Sequence, residues 1–152
     1  MLTQTKVVNA MTESRRSCEE TWIETCLAVS VEVAPFLDGI EEQMTYWGYT
    51  PRTCRELRLV LEEAIVNGLK HGNGGDPSKQ VRVRYHIGPD GVAADVEDEG
   101  PGFDPSTVPD PTLPENLDRS CGRGLLLMRS YTTWMRYSPR GNCVTLYKRR
   151  PD

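Results

Sequence analysis

From Pro51 to about His71, the residues Leu57, Leu61, Ala64, Ile65 and Leu69 fall at helical spacing. Such a stripe predicts a long helix with one buried face. Thr50 is a natural N-cap, with Pro51 at the first helical position. Gly72-Asn73-Gly74-Gly75-Asp76-Pro77 is a strong stop. A helix of this length needs a second layer to cover it, and the flanking segments supply one. Thr21 to Ala28 is rich in β-formers and reads as a strand. From Ser30, the residues Val33, Phe36, Leu37, Ile40 and Met44 predict a second helix, with Pro35 in its first turn. Val81, Val83 and Tyr85 alternate with Arg82, Arg84 and His86, and Val92 to Val96 returns after Gly88-Pro89-Asp90-Gly91. That is a β-hairpin. A short apolar helix from Leu125 to about Tyr131 and strands at Trp134 to Ser138 and Val144 to Lys148 close the chain.

These elements predict one α/β (α+β) sandwich over residues 1–152, a mixed, mostly antiparallel sheet with helices on one face. Met1 to Ser17 is polar and expected to be a frayed, flexible segment. At 152 residues, 38% hydrophobic and 26% charged, the chain has neither a disordered nor a low-complexity composition. A net charge of −4 argues against general nucleic-acid binding. Lys148-Arg149-Arg150 is a local basic run, expected as a solvated tail. No apolar run reaches membrane-spanning length, and the N-terminus lacks a signal-peptide core, which predicts a cytoplasmic protein. Five cysteines (Cys18, Cys26, Cys54, Cys121, Cys143) without a C-x-x-C pair read as reduced thiols.

Three short patterns carry chemistry. Glu63 and Asn67 lie one turn apart on the long helix, in a polar stripe with Glu56 and Lys70. An amide oxygen suits Mg²⁺, and a carboxylate one turn away can deprotonate a hydroxyl or water. Asp98-Glu99-Gly100-Pro101-Gly102 follows a strand. Its glycines permit a tight turn, and Asp98 can accept a hydrogen bond from an exocyclic amine. Gly122-Arg123-Gly124 opens a helix whose first amides can bind an anion, with Arg123 adding charge. Between them, Asp104 to Cys121 is a proline-rich connection of the length expected for a lid. The Walker motif is absent. Each pattern alone is common, but their order and context are specific.

In that order they resemble the GHKL ATP-binding fold of gyrase, heat-shock chaperones, histidine kinases and mismatch-repair ATPases. More narrowly, they resemble the bacterial anti-sigma-factor serine/threonine kinases of the RsbW and SpoIIAB type. Leu61 to Asn73 is similar to that family's N-box helix, Val96 to Phe103 to its adenine box, and Gly122 to Met128 to its phosphate-side glycine box. The resemblance implies ATP and Mg²⁺ as cofactors. It implies Glu63 as general base, Asn67 as Mg²⁺ ligand and Asp98 as the acceptor for the adenine amine. Gly100 and Gly102 would shape the base pocket, and Gly122, Arg123 and Gly124 would line the triphosphate. The closing hairpin reads Gly141-Asn142-Cys143 where the family has Gly-Thr. The partners implied are an anti-anti-sigma (STAS-domain) protein, whose Ser or Thr is phosphorylated, a sigma factor, and a second copy in a homodimer. Neither nucleic acid nor membrane is expected as a partner. An alternative is a non-catalytic nucleotide-binding module that acts by protein binding alone. A complete sensor kinase would need a separate histidine-bearing helical domain, and a clamp ATPase would need a transducer domain; neither is expected here.

Overall fold

The computed structural model describes residues 5–9, 21–116 and 122–151. Its strands are β1 (Thr5–Asn9), β2 (Thr21–Leu27), β3 (Val81–Ile87), β4 (Gly91–Glu97), β5 (Trp134–Tyr137) and β6 (Cys143–Arg149). They form one sheet in the order β1-β2-β3-β4-β6-β5. The pairings among the described residues are all antiparallel, the limiting case of the mostly antiparallel sheet expected. The helices are α1 (Val33–Tyr46), α2 (Pro51–Asn67) and α3 (Arg123–Tyr131).

Strand alternation decides which face the helices cover. Val81, Val83, Tyr85 and Ile87 of β3 are buried, whereas Arg82 is exposed and Arg84 and His86 are half-buried. The buried face meets Leu37, Ile40 and Met44 of α1 and Leu57, Leu61 and Ile65 of α2 in one core. Full burial of such side chains contributes about 1.5–3 kcal/mol each. The N-cap of α2 forms as expected: Thr53 N–H donates to Thr50 Oγ1 at 3.2 Å. On the open face, Arg84 lies over the Trp22 ring and Trp134 stacks on Tyr147.

Two expectations are corrected. Thr5–Asn9 is not frayed: it forms β1, in register with Thr21 to Thr25 of β2. Lys148-Arg149-Arg150 is not a solvated tail. Lys148 is buried in β6, where its ammonium donates to Glu56 Oε2 at 2.8 Å and to the Tyr131 carbonyl at 2.7 Å. Arg150 donates to the carbonyls of Trp47 and Gly48, just past the end of α1, and its guanidinium covers the Tyr49 ring. A cation at a helix C-terminus meets its unpaired carbonyls and the negative end of its dipole.

Of the cysteines, Cys26, Cys54 and Cys143 are free thiols, while Cys18 and Cys121 lie outside the described residues. Among the described residues, no helix is long and apolar enough to cross a membrane.

Candidate active site

The face of α2 that leaves the core carries Glu63 and Asn67, both half-buried. Glu56 of the same stripe turns to Lys148 instead, and Lys70 is exposed. The expected helix continues past Asn67, but as a π-helical turn, Gly68–Gly72, closed by the Asn73 N–H on the Gly68 carbonyl at 2.7 Å. Such wider turns are frequent at functional sites. Here the turn brings Gly72 under the Asp98 carboxylate so closely that a Cβ on Gly72 has no room.

Asp98 sits just past the end of β4. Its Oδ1 accepts the Gly100 N–H at 2.8 Å. The next amide, Glu99 N–H, donates to Asn73 Oδ1 at 2.8 Å, so the loop is tied to the end of the π-helical turn. On the other side, Asp98 N–H donates to the Asn142 carbonyl at 2.9 Å, and Asn142 Nδ2 donates to the Asp98 carbonyl at 3.1 Å. Asn142 therefore extends the β4–β6 ladder by one step, where the family pattern has Thr. Burial raises the Asp98 pKa; the Gly100 amide opposes this, Glu97 adds to it and Arg140 reduces it.

Two glycine loops close against each other backbone to backbone. Gly102 (φ 81°) faces the Arg140 carbonyl and Gly141 (φ 79°) faces the Phe103 carbonyl, with no space for a Cβ at either. L-residues pay for positive φ, so glycine is required twice over. The N-cap of α3, Gly122, is likewise left-handed at φ 88° and packs against Val108, Pro109 and Pro111 of the proline-rich strap. Within the described part of the strap, Asp104 and Asp110 each accept the backbone N–H and the hydroxyl of the residue two further on, Ser106 and Thr112. Asp76-Pro77-Ser78, beyond α2, repeats the same turn. Residues 117–121 of the expected lid lie outside the described residues.

The result is a cavity of about 390 Å³, within the ~300–1,000 Å³ of small-molecule sites. Glu63, Asn67, Asp98, Gly102, Gly122 and Gly124 all line it. Gly100 and Arg123 do not. Gly100 instead shapes the turn that holds Asp98, and a Cβ there would run into the Gly72 carbonyl. Arg123 is exposed on the first turn of α3. Sequence reasoning missed Gly72 and Asn73 as supports of Asp98, and Tyr137 as a wall residue. The glycine-rich stop after α2 was a signal for the first two. A lone tyrosine on a four-residue strand gives none.

Among the described residues, no group of three or more His, Cys, Asp or Glu gathers to hold a metal ion. Asn67 offers one neutral amide oxygen on the cavity wall, with Glu63 one turn away. Such a donor set fits a Mg²⁺ ion shared with a ligand's phosphates, not one caged by protein. At the other wall, the amides of Gly124 and Leu125 have no intrahelical acceptor in the first turn of α3. They suit an anion.

An antiparallel sheet covered on one face, with a cavity between a long helix, a strand-end aspartate and a glycine-opened helix, defines a GHKL-type ATPase domain. The chain belongs to the family of histidine kinase-like ATPase domains, whose profile matches residues 29–148. It is similar to the serine-protein kinase RsbW of Listeria innocua serovar 6a, 33% identical over 60 residues, which is 40% of this chain and 38% of the relative. The RsbW of Bacillus subtilis (strain 168) is 31% identical over 68 residues, 45% of this chain and 41% of the relative. That of Listeria monocytogenes serotype 4a is 32% identical over 60 residues, 40% and 38% of the two chains. The matched stretch spans about two fifths of these relatives' length.

Proposed function

We propose that the protein is an ATP-dependent anti-sigma-factor serine/threonine kinase, which phosphorylates an anti-anti-sigma (STAS-domain) partner and sequesters a sigma factor. One observation carries this reading: Glu63, Asn67 and Asp98, from two separate elements, share a cavity with the glycine-rich start of α3. The family, and the serine-protein kinases among its relatives, support it. On this reading the protein acts in the cytoplasm as a homodimer.

The ionised Asp98 carboxylate accepts the adenine amine, in a pocket bounded by Gly102 and Val144. The α3 amides at Gly124 and Leu125 receive the phosphates, and the missing side chain at 124 leaves room for the Glu63 carboxylate. Asn67 would hold Mg²⁺ by its amide oxygen. When bound, the ion neutralises charge on the phosphates. Glu63 takes the proton of the acceptor hydroxyl as that oxygen bonds to the γ-phosphorus and ADP leaves. No covalent bond to the protein is required, so the fold's contribution is orientation and electrostatics.

The deciding experiment incubates the purified protein with Mg-ATP and STAS-domain partners. Phosphoserine or phosphothreonine should form with wild type and vanish with Glu63→Ala. If Glu63→Ala still controls the sigma factor as wild type does, the chain is a nucleotide-gated binding module and the kinase assignment falls.

A further inference from the structure

Tyr137 occupies β5 opposite Val144 of β6, and both side chains line the cavity. Its ring meets Phe103 edge-on, with centroids 5.0 Å apart and planes at 76°. This contact fixes the ring from the side of the base loop, since Phe103 directly follows Gly102. Tyr137 is half-buried, yet no group among the described residues hydrogen-bonds its hydroxyl. Its hydroxyl is thus available to a ligand in the cavity that Tyr137 lines.

The electrostatics of the spot narrow what that ligand is. Burial pushes the phenol up to about 12; Arg129 pulls it down, and Asp98 and Glu63 both push it further up. At neutral pH the group is thus a hydrogen-bond donor. It feels both the carboxylate of the base end and the carboxylate of the phosphate end. Tyr137 lines the same cavity as Asp98 at the base end and Glu63 at the phosphate end and packs on the base loop through Phe103, a place where a neutral hydroxyl or ether oxygen of a ligand can accept its proton. In a nucleotide, the part that joins base to phosphates and carries such oxygens is the sugar.

We propose that Tyr137 is a ligand-contacting residue whose hydroxyl donates to a sugar oxygen of the bound nucleotide. The inference rests on the nucleotide reading above and adds a contact that this reading does not contain. The test is calorimetric binding of adenosine, ADP and ATP to wild type and Tyr137→Phe. Phenylalanine retains the ring against Phe103, and the melting temperature without ligand checks that the fold is unchanged. Affinity should fall by about three- to tenfold for all three ligands alike, as expected for one hydrogen bond. Wild-type affinity in Tyr137→Phe overturns the contact. A loss confined to ATP and ADP, with adenosine unaffected, moves the hydroxyl to the phosphates and overturns the sugar assignment. Failure of the wild type to bind any of the three overturns the nucleotide reading itself, which is a separate result.

Discussion

The Glu63 carboxylate lies directly over the backbone of Gly124, so that a side chain at 124 would have to displace it. The end of α2 and the start of α3 are therefore fitted to each other through one acidic group and one missing Cβ. In Gly124→Ala the new methyl meets the far end of Glu63, which can swing away, and alanine is the better helix former by about 1 kcal/mol. Stability should hardly change. Phosphoryl transfer should fall by ~100-fold, the scale of a 1 Å misplacement of a catalytic group. In a double-mutant cycle, adding Gly124→Ala to Glu63→Ala should cost little more, because the methyl then has no carboxylate to displace. Full additivity would show that the two residues act independently.

Asp98 yields a prediction in which stability and binding move in opposite directions. Its pKa is raised, first by burial. A raised pKa means that its contribution to folding is greatest at low pH and is lost as pH rises through the folded value. On the proposed reading adenine binds the ionised form, which is the form the empty fold disfavours. Asp98→Asn should melt at the same temperature as wild type or higher near neutral pH, and should gain no stabilisation from Mg-ATP. For wild type, ATP affinity should decline on acidification at a pH above the ordinary aspartate range. Thermal shift and calorimetry across pH measure both.

The buried Lys148 and the half-buried Glu56 form a pair with the opposite sign. The Glu56 pKa is lowered, chiefly by the hydrogen bond from Lys148, with desolvation opposing and Arg52 adding to the effect. This stabilisation is present above the unfolded carboxylate pKa and lost as pH falls through the folded value. Lys148→Ala should destabilise by about 1–3 kcal/mol, because it removes the buried donor to Glu56 and to the Tyr131 carbonyl while Arg52 still pairs with the carboxylate. It should also flatten the acid limb of the stability curve. Urea melts of wild type and variant at several pH values test both points.

The two strap turns make a local prediction. Asp104 and Asp110 each hold a Ser or Thr by two hydrogen bonds, and these bonds lower both carboxyl pKa values. Asp110→Ala should raise amide exchange and protease cleavage within residues 104–116 while leaving exchange in α2 and β4 unchanged. A global rise would show that the strap is part of the cooperative core.

The helical stripes, the hairpin and the two glycine-bearing patterns were legible because each obeys a short-range rule. Thr50 and Pro51 announce α2 by local chemistry alone, and β3 announces its faces by alternation. What sequence reasoning missed depends on long-range partners. Lys6-Val7-Val8 is too short a β-forming run to stand out, and it becomes β1 only because β2 offers an edge. Lys148 reads as one charge in a basic triplet, and its burial depends on Glu56, 92 residues away. The π-helical turn depends on the fit of Gly72 beneath Asp98, which no periodicity encodes. Gly100 and Arg123 show the converse: they share the patterns of Asp98 and Gly124, yet the cavity walls do not include them.

The place of β6 between β4 and β5 has a consequence for how the chain is made. The sheet's sixth strand in sequence is an interior strand, and its Lys148 reaches both α2 and the end of α3. While Cys143–Arg149 is still inside a ribosome, β4 has an open edge, β5 has no neighbour and Glu56 lacks its ammonium partner. Nascent chains should therefore resist protease only after that strand emerges, and a stop codon before it should leave an aggregation-prone product, not a smaller folded domain.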